Sequence, residues 1–420
     1  MRGELNRFAH YLRKVFKFHR LVRCFSDRRQ DPKIPTHSVV LSLFFGAVMR
    51  VPSFFQLEQE TKRPRWQRQV GWMAPISDDT FDYVAERLDL DTLRRGLLTT
   101  NKILKRNKAF EANKYSGLLV AAIDGNEQFK SRSRCCERCR QRQVRVKNAQ
   151  GEEERVTEYY HHQVYCQIIG PHFSVILDLE ELRPGEDEVA AALRLLGRIR
   201  RLYGPRFFDV VLADAGFSEG PFWTAVRKLG WSVITVLKQE RYEVWQEAQQ
   251  LSQGLSGQKF SPSTNAHVEL WEVKDLRFSD TYQKETVRVV RSRETGFEVR
   301  QRGGVRKPEP YDNQWCWLAS SDLDWLPQEM VWSIGHGRWK IENNAFGELT
   351  QHWNLEHCAH HDPVAIEALL LILVLAFNLF RAFAQLCGKA WQAGQVTMQE
   401  VRRQLDLAMI TDQEVLLWSG

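Results

Sequence analysis

Residues 117–125 read GLLVAAIDG, and residues 207–217 read FFDVVLADAGF. Each is a short apolar run that closes on an aspartate followed by a small residue, Asp124 before Gly125 and Asp214 before Ala215. Apolar runs this short, bounded by glycine and acidic residues, read as buried strands rather than helices. Between them, YYHHQVYCQIIG (159–170) and HFSVILDLEEL (172–182) read as two further strands, with Gly170 and Pro171 supplying the turn. PGEDEVAAALRLLGRIRRLYG (184–204) then opens on a helix breaker, carries acidic residues at its start and ends on basic ones, the polarity a helix dipole favours. A helix around Gly220–Leu229 and a strand WSVITVLK (231–238) follow. The order is three strands, helix, strand, helix, strand: a meander, then crossover units.

That is the order of a ribonuclease-H-like core, in which the first and fourth strands are neighbours. Asp124 and Asp214 are then expected side by side at strand ends, where open α/β sheets place their chemistry. Farther out, VELWEVKDLRF, TVRVVRSRE and QWCWLASS alternate in the manner of strands between polar and glycine-rich stretches. The expected fold is α/β: a ribonuclease-H-like mixed sheet core at 115–240 and 331–385, a mostly β insertion at 241–330, a helical N-terminal region at 1–110 suited to DNA binding, and a C-terminal helical tail at 386–420.

In the N-terminal region, SVVLSLFFGAVM (38–49) reads as a buried helix, and DDTFDYVAERLDLDTLRRGLL (78–98) begins with Asp78 or Asp79 as its cap. Up to residue 70, Lys and Arg far outnumber Asp and Glu, which suits phosphate contacts and equally suits a solvated basic face. The whole chain of 420 residues carries a formal charge of +7, is 43% hydrophobic and holds 14 tryptophans: a folded, basic protein of more than one domain with an anionic partner in prospect. No secretory signal opens the chain, and the most apolar run, Ala368–Phe377, is short for a bilayer and reads as part of a buried helix. Eight cysteines, clustered rather than spaced as a disulfide framework, point to a reducing cytoplasm.

Residues 334–357, IGHGRWKIENNAFGELTQHWNLEH, supply a third acidic group. Arg338 and Glu342 are four apart and share a helix face with Phe346, Leu349 and Trp353. An internal ion pair explains this much. With Asp124 and Asp214 added, three convergent carboxylates suit a pair of Mg2+ or Mn2+ ions, which prefer oxygen ligands and drive in-line displacement at phosphorus.

Taken in order, IDGNEQF, ADAGF and GRWKIENNAF resemble the three motifs of DDE transposases of bacterial insertion sequences, specifically the insertion-sequence-four-like group. The resemblance covers about residues 115–380 and includes a β insertion ahead of the glutamate. It implies that Asp124, Asp214 and Glu342 are the catalytic, metal-binding triad and that Arg338 supports the site or contacts a phosphate. The implied activity is binding of terminal inverted repeats in double-stranded DNA, cleavage of the element ends and joining of the 3′-hydroxyl to target DNA, by a homodimer in the cytoplasm, at the bacterial nucleoid. The chain departs from the group's signature twice: Gly335 stands where a Tyr precedes the Arg by three, and Leu349 where a Lys follows the Glu by seven. Lys340, His336 and His352 are the substitutes this leaves in view, and the basic loop that holds Arg132 and Arg134 is suited to track DNA near the active site. The alternatives are a catalytically impaired DNA-binding descendant and a ribonuclease-H-like nuclease.

Smaller signals remain. Cys136 and Cys139 have zinc-ligand spacing; with Cys135 and His161 they form a candidate structural zinc site, against the plainer reading of reduced cysteines in a basic loop. Glu127 reads as a solvated turn residue, and Asp178, Glu180 and Glu181 as turn and surface charges. Trp315 or Trp317 is a candidate for stacking on a flipped base, as the resemblance suggests.

Overall fold

The computed structural model describes residues 4–148, 151–171, 174–238, 242–263, 266–282, 285–302, 305–387, 400 and 403. The expected C-terminal tail therefore lies almost wholly outside the described residues. Among the described residues up to Arg106 there are seven α-helices: α1 (Glu4–Phe16), α2 (Phe18–Leu21), α3 (Thr36–Met49), α4 (Phe54–Thr61), α5 (Pro64–Val70), α6 (Asp78–Ala85) and α7 (Leu90–Arg106). α3 is apolar on all sides and buried accordingly. Ser77, not Asp78 or Asp79, caps α6 by accepting the Thr80 N–H at 3.3 Å. The two aspartates fall instead in the first turn, where the helix dipole favours them. Asp89 caps α7, so the stretch 78–98 is divided between two helices.

The sheet begins with β1 (Val120–Ser131), β2 (Arg140–Lys147), β3 (Glu153–Ile169) and β4 (Val175–Glu181). α8 (Glu188–Tyr203), β5 (Val210–Ala213), α9 (Gly220–Lys228) and β6 (Ser232–Val236) follow. The central order is β4-β3-β1-β5-β6, with the first two junctions antiparallel and the last two parallel, which is the ribonuclease-H-like arrangement. β1 does not end at Asp124 but runs seven residues beyond it, as far as Ser131. β2 occupies part of the stretch read as a basic loop. It pairs with the outer half of β3, where Arg142 meets Glu158 at 2.7 Å, so charge complementarity across the strands replaces an apolar face.

Beyond α10 (Glu243–Leu251), four strands continue the same sheet: β7 (Gln258–Ser263), β8 (Ala266–Leu276), β9 (Val287–Arg302) and β10 (Val305–Ser320). β10 joins by lying antiparallel to β6, with Trp317 opposite Val236. The chain then forms α11 (Gln328–Gly337), a π-helical turn (Ile341–Phe346), α12 (Gly347–Trp353) and α13 (Pro363–Cys387).

α13 is the pillar of the helical side. Phe8 of α1 meets its Phe380 and Phe383 with ring centroids 5.9 and 5.2 Å apart, and α3, α6 and α7 pack along it. The buried Asn378 amide brackets Ile176 of β4, accepting its N–H at 3.0 Å and donating to its carbonyl at 2.7 Å, while Asn101 of α7 donates to the same carbonyl. The helix extends well past the ten-residue apolar run and is long and apolar enough to cross a membrane. Yet 72% of its most apolar stretch is buried inside the protein, as in a core helix.

Candidate active site

The pairing of β1 with β5 runs Val120 with Val210, Ala121 with Val211 and Ala122 with Leu212. Carried on at constant offset, this register sets Asp124 level with Asp214. Residues at one level on adjacent parallel strands present their side chains to the same face. Each aspartate has one oxygen fixed by local backbone: Asp124 Oδ1 accepts the Gly125 N–H at 2.9 Å, and Asp214 Oδ1 accepts the Gly216 N–H at 2.8 Å. Gly125 has no space for a side chain, since a Cβ there would come within 2.2 Å of His162 Nε2.

Arg338 closes the arrangement. It is 3% exposed, and its Nη1 donates to Asp124 Oδ2 at 3.1 Å and to Glu342 Oε1 at 2.5 Å. Glu342 lies not on a regular α-helix but in the π turn, a feature that recurs at functional sites. The stripe expected to flank it is buried: Phe346 meets Tyr165 edge-on at 5.1 Å, and Leu349 and Trp353 are in the core. Burial pushes the Asp124 carboxyl up to about 7; Arg338 pulls it down, and the charges of Glu342 and Asp214 push it up again. Asp124 and Glu342 thus share one guanidinium while the charge of Asp214 also acts on Asp124, leaving an excess of negative charge in an all-oxygen donor set. A hard divalent cation fits such a site by charge and by ligand type.

The two departures from the expected signature both lie in closely packed surroundings. A Cβ on Gly335 would come within 2.2 Å of the Trp317 indole, so the tryptophan fills the space a larger residue would need. Leu349 is fully buried, where a lysine would lose its hydration. Trp317 is itself buried and offers no face to a base; Trp315 is partly exposed, 6.1 Å from Trp339 between ring centroids.

The remaining candidates have varied settings. His336 Nε2 lies 2.7 Å from Glu294 Oε1, an oxygen that also accepts from Trp332 Nε1 and Ser292 Oγ. Nothing in the sequence around Glu294 marks this buried carboxylate, because its partners come from α11 as well as from its own strand. Lys340 is half-buried and donates to the Gly170 carbonyl at 2.9 Å. Arg132 and Arg134 are exposed in the turn after β1. Cys136, Cys139 and His161 come together, whereas Cys135 is exposed outside their cluster. Glu127 is not a turn residue: it lies within β1 and receives Arg142 Nη1 at 2.8 Å. Asp178, Glu180 and Glu181 are not surface charges. They are buried on β4 among arginines, because α7 and α8 cover that strand.

The sequence model of the transposase DDE domain family matches residues 169–379, half of the chain. The chain belongs to that family. Within this DDE transposase-family chain, the matched stretch takes in Asp214 and Glu342 and begins beyond Asp124. No curated protein sequence matches the chain. Among solved structures, a piggyBac transposase synaptic complex with hairpin DNA is similar at 11% identity and a TM-score of 0.44, over 96% of this chain and 80% of that one.

Proposed function

We propose that this protein is the DNA transposase of a bacterial insertion sequence of the insertion-sequence-four-like group. It binds the element's terminal inverted repeats, cleaves the ends and joins the freed 3′-hydroxyl to target DNA. The observation that carries the proposal is the meeting of Asp124 and Glu342 on the buried Arg338, with Asp214 level with Asp124 on the neighbouring strand. The three carboxylates would hold Mg2+ or Mn2+, and such ions supply activation of the attacking water or 3′-hydroxyl and stabilisation of the leaving oxygen. Arg338 holds Asp124 and Glu342 at a fixed separation, so the site is organised before DNA arrives. Gly125 and Gly216 fix one oxygen of each aspartate and leave the other to the site.

In this reading, residues 1–110 contribute to DNA binding, 115–240 with 331–385 form the catalytic core, and 241–330 form an insertion against which the Glu342 segment is braced. Arg132 and Arg134, exposed after the strand that carries Asp124, offer phosphate contacts. His336 and Lys340 are engaged with Glu294 and Gly170, so they contribute to DNA binding only by exchanging those partners. Two ends must be brought together, so the working form is a homodimer on DNA, at the bacterial nucleoid.

The test is an excision assay in cells, with the coding region and its native flanks on a reporter plasmid. Excision by wild type and none by Asp124→Asn is the expected result. Cutting without joining would favour a ribonuclease-H-like nuclease; no excision by a soluble, flank-binding wild-type protein would favour a catalytically impaired DNA-binding descendant.

A further inference from the structure

Away from the three carboxylates, Cys136, Cys139 and His161 bring three soft or borderline ligand atoms together. The sulfurs of Cys136 and Cys139 are 3.6 Å apart, and each lies 3.4 Å from His161 Nε2. A disulfide would bring the sulfurs to about 2.05 Å. A tetrahedral zinc ion, with Zn–S of about 2.3 Å and Zn–N of about 2.0–2.1 Å, sets sulfurs about 3.8 Å apart and sulfur about 3.5 Å from nitrogen. The observed spacings match the second pattern and exclude the first.

The surroundings fit a metal as well. Cys139 N–H donates to the Cys136 carbonyl at 3.1 Å and Cys136 N–H to Cys139 Sγ at 3.2 Å, a tight turn that aims both sulfurs inward. His161 is 1% exposed on β3, and its other nitrogen, Nδ1, lies 3.3 Å from Glu181 Oε1. A carboxylate behind the ligating imidazole fixes its tautomer and raises its basicity. Arg138 holds that carboxylate in turn, at 2.9 Å.

A fourth ligand has to come from another segment, because Cys135 is exposed and outside the cluster. Cys358, half-buried after α12, lines the same cavity as Phe129, whose ring lies 5.9 Å from that of His161. Its thiol donates to the His360 carbonyl at 2.9 Å and stands outside the cluster of three, so joining the ion exchanges that hydrogen bond for the metal. We propose that Cys136, Cys139, His161 and Cys358 bind one zinc ion. The ion ties the turn that follows the Asp124 strand to the segment that leaves the Glu342 helix. It positions two of the three carboxylates relative to each other and takes no part in chemistry.

The experiment is elemental analysis of the full-length protein, purified without chelator or metal-affinity resin, followed by cobalt substitution. One zinc per chain is expected in wild type and in Cys135→Ser, and its loss in Cys136→Ser, Cys139→Ser and His161→Ala. The cobalt form of wild type should show tetrahedral d–d bands and sulfur-to-cobalt charge transfer of three thiolates, falling to two in Cys358→Ser. This reading of the wild type stands even where a variant fails to fold. Folded wild-type protein that neither contains zinc nor takes up a stoichiometric addition would overturn the site. Loss of the metal in His361→Ala, with Cys358→Ser retaining it and the two-thiolate spectrum, would overturn the Cys358 assignment. All of these readouts are independent of DNA cleavage.

Discussion

Two sets of carboxylates meet at the same sheet, and their surroundings treat them in opposite ways. On β4, Asp178, Glu180 and Glu181 are met by Arg94, Arg138, Arg194 and Arg198: Arg198 Nε is 2.7 Å from Asp178, Arg194 Nε is 2.9 Å from Glu180, and Arg138 Nη1 is 2.9 Å from Glu181. Burial alone would raise the Glu180 carboxyl, but Arg198 and Arg194 outweigh it and hold it below its ordinary value. Around Asp124 on β1, Glu342 competes for the one guanidinium of Arg338, Asp214 adds a further negative charge, and burial carries Asp124 up to about 7. Balanced charge makes a strut; unbalanced charge makes a site with affinity for something positive. Perturbed carboxylates gather at functional sites for this reason, and the contrast within one sheet separates the two cases better than burial does.

Neutralising each set should therefore break different properties. Asp124→Asn, Asp214→Asn and Glu342→Gln should each lower nicking of end DNA by about 10²–10³-fold or more, with end binding retained and no loss of thermal stability; a gel-based nicking assay beside a melting curve reads both. A variant of the three that cuts at the wild-type rate is no member of the triad. Asp178→Asn should do the reverse. It takes one carboxylate from the buried Arg94 and one from Arg198, which keep Glu367 and Glu180, and should cost about 1.5–3 kcal/mol in denaturant unfolding, while the protein that remains folded cuts at close to the wild-type rate. Loss of cutting without loss of stability would move Asp178 into the active site.

What was legible in the sequence follows the same division. The strand order and the level placement of Asp124 and Asp214 can be read because apolar runs and the small residues after each aspartate are local signals. β2 escapes such a reading: RQRQVRVK has almost no apolar face, and its register depends on acidic residues of β3 that lie beyond a turn. The β4 carboxylates escape it because Arg94 is 84 residues away and Arg198 is 20 away, on two different helices. The same holds for Glu294 and His336, which are 42 residues apart. The π turn is invisible because widening a helix by one residue leaves the apolar stripe nearly in place. Partners brought in by tertiary structure decide whether a charge is a strut or a ligand, and local pattern does not report them.

The unbalanced set should also show itself in pH dependence. In the unfolded chain Asp124 titrates near 3.9, and in the folded protein at about 7, so folding favours its protonated form. The sign follows: the contribution is fully present below about pH 4, falls as the pH rises through 7 and then levels off, about 2–4 kcal/mol in all for metal-free protein. Asp124→Asn should flatten that part of the profile and be the more stable protein at pH 8. Mg2+ affinity should rise with pH up to about 7, because the cation competes with a proton. A wild-type stability profile that runs parallel to that of Asp124→Asn from pH 4 to 8 would show that the carboxyl is not buried as described.

The smallest effect tests whether the altered signature is a defect or a repacking. If Gly335 marked a lost active-site side chain, adding bulk there would be harmless or would restore function. The Trp317 indole already occupies that space, with Nε1 2.2 Å from where a Cβ would stand, and Trp317 is held in turn by β10 against His336 at 5.2 Å between ring centroids. Gly335→Ala should therefore cost about 1–3 kcal/mol by overpacking, and Gly335→Tyr more, with nicking falling alongside the folded fraction and not rising. Pairing Gly335→Ala with Trp317→Phe, which takes away the atoms in conflict, should recover part of that loss. Additive losses in the double variant would mean that glycine is needed for the path of the backbone into the Arg338–Glu342 segment, and that the tryptophan fills space it did not create.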